Sequence, residues 1–371
     1  MKAQTMKHFC QCGCNGEVAT FKGGQLSRRT LMAGVSGALL TSLVSAQGTQ
    51  SQPSEQGIID VHHHVSPPAF IRELVARGAG ERPIINWTVE SSLTDMDKAG
   101  VAASITSITT PGVWFNDNPR AVRLARECND YGASLMQKYP SRFGLFASLP
   151  LPDVDASLKE IAYAFDVLKA DGVGLLTSFG DSWLGDQKFW PVLEELNRRK
   201  AVVYTHPTTA NCCKNLLPEV HYSVIELATD TSRAIASLLF TGAAAKFPDI
   251  TFIFSHAGGT MPFIAERFTS YPFLDRGLGL NLNIAEKVPG SIRSALQKFY
   301  YDVAQAAHPM AMSALLKLVP VSQVMFGTDF PFRTAQDHVR GVDQFGLSAA
   351  DTRAIKSGNA LRLFPRFASK G

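Results

Sequence analysis

The stretch Gly57-Ile58-Ile59-Asp60-Val61-His62-His63-His64 decides how this chain is read. It is an unbroken apolar run that ends in polar side chains able to ligate a metal. The same design recurs along the chain. Short apolar runs occupy 57–62, 101–109, 143–149, 172–177, 201–206, 251–256, 299–304 and 322–329. Most are continuous rather than alternating, as expected of parallel strands covered on both faces. Helical spacing of apolar residues marks the intervening segments 118–138, 156–168, 191–199 and 230–247. Eight strands alternating with helices predict an α/β chain, a (β/α)8 TIM barrel forming one catalytic domain over 57–366. A doubly wound parallel sheet is the alternative. No glycine-rich phosphate fingerprint follows the first run, which weakens a dinucleotide site.

The run ends carry the chemistry. The first ends in Asp60-Val61-His62-His63-His64 and the fifth in Thr205-His206-Pro207. The sixth ends in Ser255-His256-Ala257-Gly258-Gly259 and the eighth in Gly327-Thr328-Asp329-Phe330-Pro331. A barrel gathers these C-terminal strand ends on one face. Residues two apart on a strand point the same way, so His62 and His64 face the axis and His63 points away. Taken singly, a histidine at a strand end is an ordinary buried polar residue, and Gly-Thr-Asp is a turn or helix cap. Jointly they converge as an N/O set suited to one divalent ion, with Zn²⁺ first and Mn²⁺ or Fe²⁺ as alternatives.

Charge and composition bound the rest. Of 36 basic and 32 acidic residues, five and one fall in 1–46, which leaves 31 of each in the body. A neutral body lacks the cationic surface that phosphate backbones need, so nucleic-acid binding is disfavoured. Ser27-Arg28-Arg29-Thr30-Leu31-Met32 precedes an uncharged, modestly apolar run that ends in Val44-Ser45-Ala46. That order is a signal peptide of the twin-arginine type over 1–46, which predicts a bacterial protein exported to the periplasm or beyond, with no stable membrane anchor. Residues 47–56 have linker composition. Cys10, Cys12 and Cys14 precede the twin arginine and receive no role. The body keeps Cys128, Cys212 and Cys213, which is no disulfide framework.

The four run-end motifs resemble the metal-dependent amidohydrolase superfamily (amidohydrolase-related family 2). More closely, they resemble its branch of non-oxidative decarboxylases typified by aminocarboxymuconate-semialdehyde decarboxylase. The similarity spans about 58–364 and includes Met96-Asp97-Lys98-Ala99-Gly100-Val101, Tyr139-Pro140-Ser141-Arg142-Phe143, Phe299-Tyr300-Tyr301-Asp302 and Gly358-Asn359-Ala360-Leu361-Arg362-Leu363-Phe364. The segments 87–92, 109–113 and 229–235 look most like 6-methylsalicylate decarboxylases. The resemblance implies that His62, His64, His206 and Asp329 ligate the metal and that His256 is a second-sphere or water-orienting base. It implies a mononuclear site, because 173–178 holds no lysine to bridge a second ion. It implies a substrate role for Arg267, although the first substrate arginine of the semialdehyde enzyme has no clear match, Arg82 being out of register. A homodimer rests on the resemblance alone.

The expected activity is non-oxidative, metal-dependent decarboxylation of a small hydroxyaromatic or related unsaturated carboxylic acid, a 6-methylsalicylate-like substrate being favoured. Asp329 is the candidate proton donor, with His256 holding or moving the proton. The alternative puts the same residues to hydrolysis of a lactone, ester or amide by a metal-bound hydroxide. A third reading is a non-catalytic metal- or ligand-binding module. Trp114 and Phe332 are candidates for the aromatic substrate's pocket, as are Phe115, Phe179 and Trp183; all five equally suit loop packing. Asp302 is placed to support a ligand histidine. His221 and His338 read as ordinary surface or helix residues, and Glu226, Asp230 and Arg233 share a helix face.

Overall fold

A computed structural model of the chain describes residues 57–368. The expected signal at 1–46 and linker at 47–56 lie outside the described residues. Eight parallel strands form the centre: β1 (Ile58–His64), β2 (Val101–Ser107), β3 (Phe143–Ser148), β4 (Gly172–Leu176), β5 (Val202–His206), β6 (Thr251–Phe254), β7 (Tyr300–Asp302) and β8 (Val324–Met325). Each pairs with the next in sequence order. All eight coincide with the apolar runs, so the barrel expectation holds and the open doubly wound sheet does not. A two-stranded antiparallel hairpin, Ser178–Phe179 with Ser182–Trp183, is an addition after β4 that the sequence patterning did not reveal.

The ring closes between β1 and the segment following β8. The Val61 amide donates to Phe326 O at 3.0 Å, His64 N to Phe330 O at 2.8 Å, and Asp329 N to His62 O at 2.8 Å. Beneath these bonds lies the Asp60 carboxylate, with no solvent exposure. It accepts from His62 N (2.9 Å), Thr328 N (3.2 Å) and the Thr328 hydroxyl (2.7 Å), and it meets His63 Nδ1 at 3.1 Å. His63 does point away from the axis. Its Nε2 lies 2.9 Å from Ser92 Oγ, and its ring stacks on Phe330 at 4.8 Å.

The barrel interior is filled by Ile59, Val61, Ala103, Ile105, Phe146, Tyr204, Ile253 and Met325, with Ala360 and Phe364 joining the cluster. Tyr204 stacks on Phe146, centroids 5.1 Å apart. The helices follow the sequence logic. Asn118–Lys138 begins where Asp117 accepts the Arg120 amide, and it buries Ala121, Leu124, Cys128 and Leu135 at helical spacing. Val89–Ala99 carries a Thr88/Ser91 capping box and ends at Gly100, whose φ of 72° suits glycine. Among the described residues no helix is long and apolar enough to cross a membrane.

Because Asp60 satisfies donors from both sides of the seam, its loss strands several buried groups at once. Asp60→Asn keeps the volume but turns one acceptor into a donor. It is expected to cost about 1–3 kcal/mol. The check is urea unfolding, where the midpoint falls at unchanged slope; an unchanged midpoint would show that the seam does not depend on this carboxylate.

Candidate metal and substrate site

The strand ends converge as expected. His62 and His64 leave β1 side by side, with Nε2 atoms 3.2 Å apart. Asp329 Oδ1 lies 3.2 Å from His62 Nε2 and 3.0 Å from His64 Nε2. His206 ends β5, its ring centroid 4.7 Å from that of His64. His256 follows β6, and its Nε2 lies 3.3 Å from Asp329 Oδ2. One donor atom from each of His62, His206, His256 and Asp329 falls within 4.8 Å of the others.

Hydrogen bonds to the far sides of the rings determine which nitrogens face inward. Asp302, wholly buried, holds His62 Nδ1 at 2.9 Å. Its second oxygen accepts the backbone amides of His256 (3.0 Å) and Ala304 (2.9 Å). Asp302 thus performs the supporting role expected of it. His206 Nδ1 meets the carbonyl of Pro207 at 2.9 Å. A carbonyl only accepts, so Nδ1 carries the proton and Nε2 is a bare lone pair. That Nε2 is buried and has no hydrogen-bond partner. A buried lone pair left without any donor, beside a carboxylate, is costly unless a cation sits between them. The donor set therefore fits a divalent metal.

The electrostatics agree. Burial opposes charge on His62, but the Asp302 and Asp329 carboxylates outweigh it and hold its pKa up to about 10. Burial lowers the pKa of His64, and it drives that of His206 well below the ordinary value, helped by the neighbouring His64 and His62. Burial would favour protonated Asp329, yet His62 and the hydrogen bonds from His256, His62 and His64 hold its carboxyl well below the usual range. Asp329 thus rests ionised. A proton it donates must first be supplied, and His256 is the histidine against its Oδ2.

Two residues at the site carried no sequence signal. Gln305 donates from Nε2 to Asp329 Oδ2 at 2.9 Å. Its own amide donates to His338 Nε2 at 2.9 Å, and His338 Nδ1 bonds Thr334 O at 2.9 Å. His338 does lie on a helix, Ala335–Gln344, but it is buried there and props Gln305.

A cavity of about 440 Å³ opens onto His206, His256, Gln305 and Asp329. Phe332 forms part of its wall, its ring 6.2 Å from that of His64. Thr109 also lines it, with a buried hydroxyl that has no partner. Trp114 lies instead in the wall of an adjoining cavity of about 700 Å³, which shares Glu81, Thr110 and Tyr222 with the first. Arg267 is not brought to either wall. Its helix, Met261–Thr269, buries Met261, Ala265 and Phe268, and Arg267 falls off that stripe into solvent. Arg77 and Lys214 are the cations lining the larger cavity. His221 is exposed, as its sequence context implied. Asp230 is fully buried; it accepts from Thr177, from Ser178 Oγ (3.0 Å) and from Trp183 Nε1 (2.7 Å) and so ties the hairpin to the helix Glu226–Phe240.

Comparison with known proteins fits this arrangement. A family model described as amidohydrolase matches residues 59–366. The 6-methylsalicylic acid decarboxylase of Penicillium expansum is 36% identical over 322 residues, covering 83% of this chain and 96% of that one. The decarboxylase macB of Penicillium terrestre is 35% identical over 328 residues, covering 83% and 95%. A dihydroxybenzoic acid decarboxylase from Polaromonas, solved with manganese and 2-nitroresorcinol, superposes with a TM-score of 0.72 at 20% identity, covering 84% of this chain and 97% of that one. The chain belongs to the amidohydrolase family and, within it, to the carboxy-lyases that these relatives represent.

Metal titration of the metal-free protein tests the ligand arrangement. His62 carries a proton below about 10, and an ion must displace it. Affinity is therefore expected to rise with pH through the neutral range, with proton release measurable by calorimetry in buffers of different ionisation enthalpy. Asp302→Asn removes the charge that raises His62 and is expected to flatten that pH dependence. It should also weaken metal binding roughly 10–100-fold. Unchanged affinity and slope would sink the assignment.

Proposed function

We propose that this enzyme removes CO₂ from a small hydroxyaromatic acid, with a 6-methylsalicylate-like compound favoured, using one divalent metal held by His62, His64, His206 and Asp329. The observation that carries the metal is the orphaned, buried Nε2 of His206 beside an ionised carboxylate. The two fungal decarboxylases support the reaction class, and the name of one supports the substrate. An all-imidazole-and-carboxylate set favours Zn²⁺; the manganese of the Polaromonas relative makes Mn²⁺ the competitor. A metal held by these residues would supply Lewis-acid charge that offsets the negative charge of a hydroxyaromatic carboxylate.

The chain's own residues do the rest. Phe332 offers a flat apolar wall to the ring, and the Thr109 hydroxyl offers a hydrogen bond that nothing in the protein satisfies. His256 passes a proton to Asp329 Oδ2, and Gln305 holds that oxygen in place. Asp329 delivers the proton to the ring carbon that bears the carboxylate, briefly breaking the aromatic sextet. The bond to the carboxylate then breaks, its electron pair restores the ring, and CO₂ leaves. The cavity of about 440 Å³ suits one substituted benzoic acid. Ser27-Arg28-Arg29 ahead of the uncharged run 31–46 supports export by the twin-arginine route.

Purified, metal-analysed protein assayed against ortho-hydroxybenzoates and simple lactones tests this directly. CO₂ release with formation of 3-methylphenol from 6-methylsalicylate is expected; lactone opening without CO₂ release would favour the hydrolytic alternative instead. Asp329→Asn should retain metal and lose about 10²–10⁴ in kcat, and full activity in that variant would remove Asp329 as donor. Replacing Arg28 and Arg29 by lysine should keep the protein in the cytoplasm, read by cell fractionation.

A further inference from the structure

The loop after β5 carries two adjacent thiols that the proposed reaction does not use. Cys212 and Cys213 lie in the short helical turn Asn211–Cys213, with Sγ atoms 2.8 Å apart. Both are free; Cys212 is exposed and Cys213 buried. The turn is pinned to the hairpin after β4, with the Cys212 amide donating to Asp181 Oδ1 at 2.7 Å and the Asn211 amide to Gly180 O at 3.3 Å. Its flanking residues Asn211 and Lys214 line the cavity of about 700 Å³. Cys213 lines a smaller pocket behind it, beside Tyr222 and Glu226.

We propose that Cys212 and Cys213 form a reversible vicinal disulfide by exchange with a low-molecular-weight disulfide, and that closing it reshapes the wall of the larger cavity. The exposed Cys212 loses its proton and its sulfur attacks the oxidant's S–S bond, releasing one thiolate and forming a mixed disulfide. Cys213 then loses its proton and attacks the Cys212 sulfur, releasing the second thiolate. Two protein thiols are oxidised and one external disulfide is reduced to two thiols. Neighbouring Cα atoms sit about 3.8 Å apart, short of the roughly 4.4–6.8 Å that an unstrained disulfide spans. The intervening peptide bond fixes that separation, so closure must twist the peptide and its flanking torsions, and the strained bond is readily reduced again. The Cys213 thiol pushes the pKa of Cys212 up to about 11, which keeps it protonated at neutral pH, so exchange is slow there and quickens as the pH rises toward that value.

Trypsin releases residues 201–214 as one peptide that contains both thiols and no other cysteine. Full-length protein is treated with glutathione disulfide, alkylated and mapped. The expected 201–214 peptide resists alkylation and is lighter by two hydrogens than the reduced peptide. Dithiothreitol reverses the change, and C212S and C213S both abolish it. Two alkyl groups on that peptide, or a mixed disulfide that never resolves, would overturn the proposal. Hydrogen exchange on the same samples reads the coupling, with faster exchange expected at 178–183 and 211–214 after oxidation. Disulfide formation with unchanged exchange would overturn the link to the cavity. Both readouts are independent of substrate, so they stand or fall apart from the decarboxylase reading.

Discussion

The Asp60 carboxylate is the constraint on which the site depends. A parallel barrel must close by joining its last strand to its first, and here the join is short. β8 spans only Val324–Met325, and the backbone beyond it is irregular. Asp60 bridges that irregularity by accepting from β1 and from Thr328 simultaneously. Asp329 is the next residue. Its amide donates to His62 O, so the Asp329 carboxylate and the His62 imidazole are fixed to each other by backbone as well as by side chains. Gly327 completes the join, because a Cβ there would lie 2.9 Å from the Cβ of His62 and 3.0 Å from that of Asp302.

The site is also where the backbone departs from comfortable conformations. His256, Ala257, Gln305 and Asp329 all have φ between 55° and 60°. Left-handed geometry costs a non-glycine residue of order 1 kcal/mol or more. Four such residues at the strand ends persist because packing and hydrogen bonds over-determine them. The amide of His256 is held by Asp302 and that of Gln305 by His338. With that backbone in place, His256 Nε2 and Gln305 Nε2 both reach Asp329 Oδ2.

Much of this was legible in the sequence because burial on both faces leaves parallel strands as plain apolar runs, and because a barrel assembles its site at their ends. His62, His64, His206, His256 and Asp329 each stand at such an end, so one rule of topology brought all five together. Residues whose role depends on a turn of irregular backbone were not legible. Gln305 reaches Asp329 from a position of left-handed φ, and His338 supports it from a helix some thirty positions on. The hairpin after β4 is two residues per strand, below the length at which any periodicity shows. Arg267 went the other way. The family resemblance implied a substrate role, but the helix phase set by Met261, Ala265 and Phe268 turns it outward.

That outward turn changes how an anionic substrate is held. The body is charge-neutral, 31 basic against 31 acidic residues, so no broad field draws the anion in. Without a metal, His62 keeps a proton shared with Asp302 and Asp329, so its charge is already matched. Asp329 itself repels a second carboxylate. In the proposed reading a bound divalent ion would displace that proton, and three neutral imidazoles with one carboxylate would leave it a net single positive charge to draw the benzoate. The histidine-rich composition of the cluster thus favours an anionic substrate as well as metal binding.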